Sequence, residues 1–149
     1  FGMVHDEAEA ALDVYFRQCA ILVTCRDLAV MGATLANMGT NPITDVPVFD
    51  LGAVRSMLAI MFTCGMYDYS GEWAYRVGLP AKSGVGGGIV AVVPGRMGIG
   101  TFSPLVDTKG NSVRGVRACE ELSRDFGLHL FNAAQPERNL DALMDASEH

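Results

Sequence analysis

The sequence predicts a mixed α/β (α+β) fold: helices come first, a short antiparallel sheet follows, and one further helix closes the chain. Three observations carry this. Apolar residues recur at three- and four-residue spacing up to Cys64, and again after Ser112. Between these regions, Leu79–Pro94 reads LPAKSGVGGGIVAVVP. Its β-branched run Ile89–Val93, bounded by Gly and Pro, has the pattern of a strand buried on both faces. Finally, Pro94-Gly95-Arg96 is a tight turn that sends Met97–Phe102 back as an antiparallel partner.

Each element can be justified in order. Asp6–Cys19 is expected to be a helix with Leu12, Tyr15, Phe16 and Cys19 on its apolar stripe. The acids Asp6, Glu7 and Glu9 suit its positive N-terminal end. From that stripe alone, Tyr15 reads as a core tyrosine. Thr24-Cys25-Arg26-Asp27 is a capping box with Asp in the place of Glu. It opens a helix with Leu28, Met31 and Leu35 on one face, and small Ala29, Gly32, Ala33 and Ala36 allowing close approach of a neighbour. Gly39 ends that helix and Asn41-Pro42 turns the chain. Asp50 caps a third helix with Leu51, Val54, Leu58 and Met61 as its stripe. Tyr67–Val77 reads as a short helix or ordered loop, with Tyr69, Trp73 and Tyr75 packing beneath it. In the returning strand, Gly98 and Gly100 leave one face bare. Asn111 or Ser112 caps the last helix, which carries Val113, Val116, Cys119, Leu122 and Phe126 inward and stops at Gly127. From Asn132 onward a polar, mobile tail is expected.

With 149 residues, half of them hydrophobic and 19% charged, the chain can bury one core and is not disordered as a whole. A net charge of −6 argues against nucleic acid or an anionic membrane as partner. The cysteines Cys19, Cys25, Cys64 and Cys119 form no CxxC pair and read as buried free thiols in a reducing compartment. With no leader and no run of membrane-spanning length, the cytoplasm is expected. His5, His129 and His149 lack ligand spacing, so no metal and no cofactor are expected. Gly86–Gly88 is not a phosphate loop, because it precedes a strand and no Lys-Ser/Thr follows it.

Lys82-Ser83-Gly84 resembles the Lys-(Thr/Ser)-Gly element of serine β-lactamases and penicillin-binding proteins. Its flanks are more specific. Cys64-Gly65-Met66-Tyr67-Asp68, Ser70-Gly71-Glu72 and Gly78 through Ile89 form one block. Val14–Cys19 and Val23–Asn37 precede it, and Ser103-Pro104, Asn111-Ser112-Val113 and Gly127-Leu128-His129 follow. Together they are similar to the serine-dependent glutaminases, β-lactamase-like enzymes that hydrolyse L-glutamine to glutamate and ammonia. The resemblance implies a β-lactamase/transpeptidase-like fold, in which an antiparallel sheet flanked by helices packs on part of a helical lobe. It also implies that residues 1–131 are the C-terminal portion of the catalytic domain and 132–149 a tail. The sequence departs from the family at Met38-Gly39, where paired glycines are usual, and at Thr44-Asp45-Val46, where Thr-Gly-Glu is usual.

Family chemistry uses an S-x-x-K serine that attacks the side-chain amide while its lysine takes a proton. No serine here has a lysine three residues on. The resemblance therefore places the nucleophile, its lysine and the upstream substrate-binding Asn and Glu outside this chain. It implies three roles within it. Tyr15 binds substrate and passes a proton to departing ammonia, Tyr67 hydrogen-bonds the serine, and the Val85 N–H forms half of the oxyanion hole. An ordinary phenol ionises only near ~10, so phenolate chemistry calls for an adjacent ammonium. Lys82, Ser83 and Gly84 are expected to shape the strand edge and the local field. L-glutamine is the expected small-molecule partner. The protein partner is a second copy of the chain, or the segment that carries the nucleophile. A transpeptidase or β-lactamase, and a truncated non-catalytic partner chain, are the competing readings.

Overall fold

The computed structural model describes residues 8–132. Helices α1 (Ala8–Cys19), α2 (Cys25–Ala36) and α3 (Leu51–Cys64) come first. A single 3₁₀ turn, Tyr67–Tyr69, runs into α4 (Ser70–Arg76). Strands β1 (Ala81–Ser83), β2 (Gly88–Val93) and β3 (Met97–Phe102) follow, then α5 (Val113–Asp125). The start of the first expected helix and the expected tail beyond Asn132 lie outside the described residues.

The three strands form one antiparallel sheet in the order β1-β2-β3, so the Lys-Ser strand is an edge and the apolar run is central. Side chains alternate across a pleat. Ala81, Ile89 and Ala91, each fully buried, therefore share one face with the core of Met66, Trp73, Leu79 and Cys119 contributed by α4, α5 and their flanks. The indole N–H of Trp73 donates to the Leu79 carbonyl at 2.7 Å, satisfying the one polar group that this ring brings inside.

The opposite face is covered by α2, through contacts that side-chain size explains. A Cβ on Gly98 would run into the backbone of Ala29, Gly32 and Ala33, and one on Gly100 into Cys25 and Ala29. The bare strand and the small-residue helix face are thus two halves of one contact. The expected stripe of α2 does not lead this packing: Met31 is half-exposed, and Leu35 only partly buried. The helix approaches by its smallest side chains because backbone-to-backbone closeness excludes the larger ones.

The caps follow the sequence. Thr24 and Asp27 make the reciprocal box, whose two hydrogen bonds from Thr24 hold the Asp27 carboxyl below its usual range. Asp50 accepts from the Ala53 N–H at 2.8 Å, and Ser112 rather than Asn111 accepts from Gly115 at 3.1 Å. The turn Val93–Arg96 closes with a 3.0 Å bond, and the Gly95 N–H ties it to the Ala36 carbonyl at the end of α2.

Three expectations need correction. Of the four free cysteines only Cys119 is buried; Cys19, Cys25 and Cys64 are exposed, because the helix faces that carry them meet no covering element. Tyr75 is 85% exposed and packs beneath nothing, whereas Trp73 fills that space. Along α1 no side chain is buried, so Tyr15, at 59% exposure, is not a core tyrosine. The two positions where the resemblance leads one to expect glycine also have a structural consequence. Met38 and Asp45 adopt φ of 55° and 56°, the left-handed region that favours glycine.

Candidate active site

Tyr67 follows the end of α3, and its backbone is left-handed at φ 54°. For a bulky residue this conformation is strained and persists only where the surroundings impose it. One restraint comes from the sheet edge, where the Ser83 N–H donates to the Gly65 carbonyl at 3.0 Å. The same edge strand sends Lys82 over the phenol, with Nζ 4.6 Å from the ring centroid. The Lys82 ammonium also donates to the carbonyl of Ser83.

Beyond Ser83 the chain loops through Gly84–Gly87. Bonds from Gly84 N–H to Gly88 O and from Gly87 N–H to Gly84 O, both 2.9 Å, close this loop. Among the described residues the N–H groups of Val85 and Gly86 donate to no protein acceptor. The loop depends on Gly87, whose φ is 98° and whose Cβ would sit 2.6 Å from the Ser103 carbonyl oxygen. Val85 is 72% exposed, so its N–H lies in an open, unpaired stretch of backbone. Tyr67 and Val85 meet at Gly110, where a Cβ would lie 3.6 Å from the phenol ring and 3.7 Å from Val85 Cγ1.

Tyr15 approaches from α1. The Cys19 side chain, one helical turn on, pushes its phenol up from the usual range, and slight desolvation and the Tyr67 charge add to this. Cys19, the linker Ile21–Thr24, Lys82, Ser83 and the loop glycines line one cleft of about 550 Å³. Ser83 itself is 1% exposed, and its Oγ has no hydrogen-bond partner. A separate polar hollow beside Asn37, Asp45 and Arg96 touches none of these residues. The structure therefore brings Tyr67, Lys82 and Val85 into one neighbourhood. Tyr15 is near enough for the Tyr67 charge to bear on its phenol, but of these four residues only Lys82 lines the cleft. Gly110 and Asn111 are site-adjacent residues to which the sequence alone assigned no site role: Asn111 entered as a cap candidate and as part of the resemblance, and Gly110 not at all. The signal that could have found them is the Asn111-Ser112-Val113 segment of the resemblance, with Gly110 next to it.

No group of three or more His, Cys, Asp or Glu side chains among the described residues could hold a metal ion. No described helix is long and apolar enough to cross a membrane.

A helix-flanked antiparallel sheet edged by Lys-Ser-Gly, with a tyrosine under the lysine, defines the β-lactamase-like class, and the solved structural neighbours share that fold. Within it, the chain belongs to the glutaminase family, whose model matches residues 1–131. It is 63% identical over 147 residues to a glutaminase of Microcystis aeruginosa, covering 99% of this chain and 44% of that protein. A Corynebacterium glutamicum glutaminase is 53% identical over 135 residues, covering 91% of this chain and 33% of its own length. Among solved structures, a Bacillus subtilis glutaminase superposes with a TM-score of 0.82 at 40% identity. That match covers 86% of this chain and 46% of the other, which was captured as a covalent complex with 5-oxo-L-norleucine after reaction with 6-diazo-5-oxo-L-norleucine. The chain thus spans less than half the length of each of these relatives.

Proposed function

We propose that residues 1–131 are the C-terminal portion of a catalytic domain that hydrolyses L-glutamine to L-glutamate and ammonia through a serine acyl-enzyme. The serine and its lysine come from outside these 149 residues, since none of the serines here has a lysine three positions on. One observation supports the reading above all: Tyr67, under the Lys82 ammonium, and the side chain of Val85, whose N–H donates to no protein acceptor among the described residues, lie together against Gly110.

In this reading the Tyr67 hydroxyl hydrogen-bonds the attacking serine as its proton leaves. The Val85 N–H stabilises the oxyanion that develops on the amide carbonyl, acting from a fixed backbone position that needs no reorganisation. Tyr15 donates to the departing ammonia. An ordinary phenol already holds its proton at neutral pH, and the upward push at Tyr15 acts in the same direction, so the residue is in the form a donor needs. Lys82, Ser83 and Gly84 hold the strand edge that carries this loop.

The protein acts in the cytoplasm and as an assembly in the same proposal. Three exposed free thiols suit a reducing compartment. The exposed apolar residues Leu12, Phe16, Ile21 and Leu22 suit a covering partner. Ammonia release from glutamine by the full-length protein tests the activity. The 149-residue chain alone should release none above a Tyr67→Phe control. Turnover by the short chain overturns the placement of the nucleophile. A full-length protein inert on glutamine overturns the activity and favours a non-catalytic partner.

A further inference from the structure

The left-handed backbone of Tyr67 needs a cause, and the structure supplies more than one. The two carbonyls immediately before it are gripped from different elements. The Gly65 carbonyl accepts from the Ser83 N–H at 3.0 Å, and the Met66 carbonyl accepts both from the local Tyr69 N–H at 3.1 Å and, across the fold, from Asn111 Nδ2 at 3.3 Å. Ser70 adds a local clamp: its Oγ accepts the Met66 N–H at 3.0 Å and donates to the Tyr67 carbonyl at 2.9 Å.

Asn111 stands out among these groups because packing does not account for it. It is fully buried, it does not cap α5, and its Oδ1 has no hydrogen-bond partner. An apolar side chain of similar size would fill the space without leaving an acceptor unpaired. The amide earns its place through Nδ2. The turn that carries it is rigid: the Asp107 carboxylate accepts the N–H groups of Lys109 and Asn111, both at 2.9 Å, and the Asp107 N–H donates to the Asn111 carbonyl at 2.8 Å. Through Gly110 the same turn also lies against the Tyr67 ring and Val85.

We propose that Asn111 is a positioning residue. From a rigid turn, its side-chain amide holds the Met66 carbonyl, fixes the strained backbone of Tyr67 and so places the phenol. This rests on the reading of Tyr67 as the partner of the nucleophilic serine. Asn111 is fully buried, and the role assigned to it runs through Tyr67.

The test is a double-mutant cycle in the full-length protein with Asn111→Leu, Tyr67→Phe and the pair, read as kcat and KM for glutamine together with the thermal midpoint. Asn111→Leu should keep or raise the midpoint, because the unpaired acceptor is gone. It should lower kcat roughly 10- to 100-fold with KM nearly unchanged, the expected result of a misplaced catalytic group. In the Tyr67→Phe background it should cost nothing further, since residues acting as a unit are non-additive. A folded Asn111→Leu with wild-type kcat overturns the proposal, and so does a loss that multiplies with that of Tyr67→Phe. A Tyr67→Phe variant with wild-type kcat overturns the reading of Tyr67 itself, and the positioning role with it. Should Asn111→Leu fail to fold, Ser70→Ala takes its place in the cycle, because it releases the same Met66–Tyr67 backbone. Non-additivity with Tyr67→Phe then supports positioning of that backbone, and additivity overturns it.

Discussion

The Lys82 ammonium stands over the Tyr67 ring, 4.6 Å from its centroid, although the two residues come from different elements. The edge strand and the turn after α3 are joined by the Ser83–Gly65 hydrogen bond, which sets both in place. The sequence carries the two residues in separate motifs; the sheet edge makes them one unit.

That unit predicts the effect of Lys82→Met. An exposed cation over an aromatic ring contributes about 0.5–1 kcal/mol, rising to about 2 where water is excluded. Removing the ammonium should therefore lower kcat roughly 2- to 30-fold, less than the roughly 10²–10⁴-fold expected when a general acid–base group is removed, as in Tyr67→Phe. Steady-state glutamine hydrolysis by the two variants ranks them. A Lys82→Met loss larger than that of Tyr67→Phe would make the lysine the principal group.

At Val85 the proposed contact belongs to the backbone. Val85→Ala keeps the N–H and should change kcat little. Val85→Pro deletes the donor and should cost at least about 10²–10³-fold, the usual loss of an oxyanion-hole donor. Comparing kcat for the pair, with circular dichroism showing both folded, checks this. Equal activities would remove Val85 from the site.

Met38 and Asp45 hold left-handed backbones without glycine. That conformation costs a side-chain-bearing residue roughly 1–2 kcal/mol, and glycine returns part of the gain as chain entropy. Met38 is 67% exposed, so Met38→Gly forfeits little burial and should stabilise the protein by about 0.5–1 kcal/mol. Asp tolerates the region better, and Asp45→Gly should gain less. Urea unfolding midpoints decide it, and a destabilised Met38→Gly would show that the methionine makes a compensating contact.

Burial pushes the Cys119 thiol up to about 12 from an ordinary 9.0. Well below 9.0 neither folded nor unfolded chain ionises at this residue, and its contribution is intact. Above it the unfolded chain loses its proton while the folded one keeps it, so stability falls as pH rises towards 12. The slope is at most about 1.4 kcal/mol per pH unit. Cys119→Ala lowers stability at every pH but should flatten that alkaline decline. Denaturation curves on either side of pH ~9 measure it, and equal slopes for the two proteins would contradict the assignment.

Local signals carried much of the fold. The Thr24–Asp27 box, the Asp50 cap and the Pro94-Gly95 turn are short-range chemistry, so their elements follow from neighbouring residues alone. The Lys82-Ser83-Gly84 edge and the family block likewise identified Tyr67 and Val85 as candidate site residues from residue order. What failed was inference of burial from periodicity. The stripe on α1 predicted a core face, yet no residue of that helix is buried, because a stripe records what a helix could cover and not whether a partner lies against it.

Residue order therefore determined the elements, their caps, the family and the candidate site residues. Tertiary structure alone decided that Gly98 and Gly100 serve α2, that Tyr75 faces solvent, and that Asn111 reaches the Met66 carbonyl 45 positions away. Caps and turns are made between residues a few positions apart, so their geometry is written in local order. Burial and long-range hydrogen bonds depend on which distant surfaces come together, and that is fixed only when the sheet and helices pack.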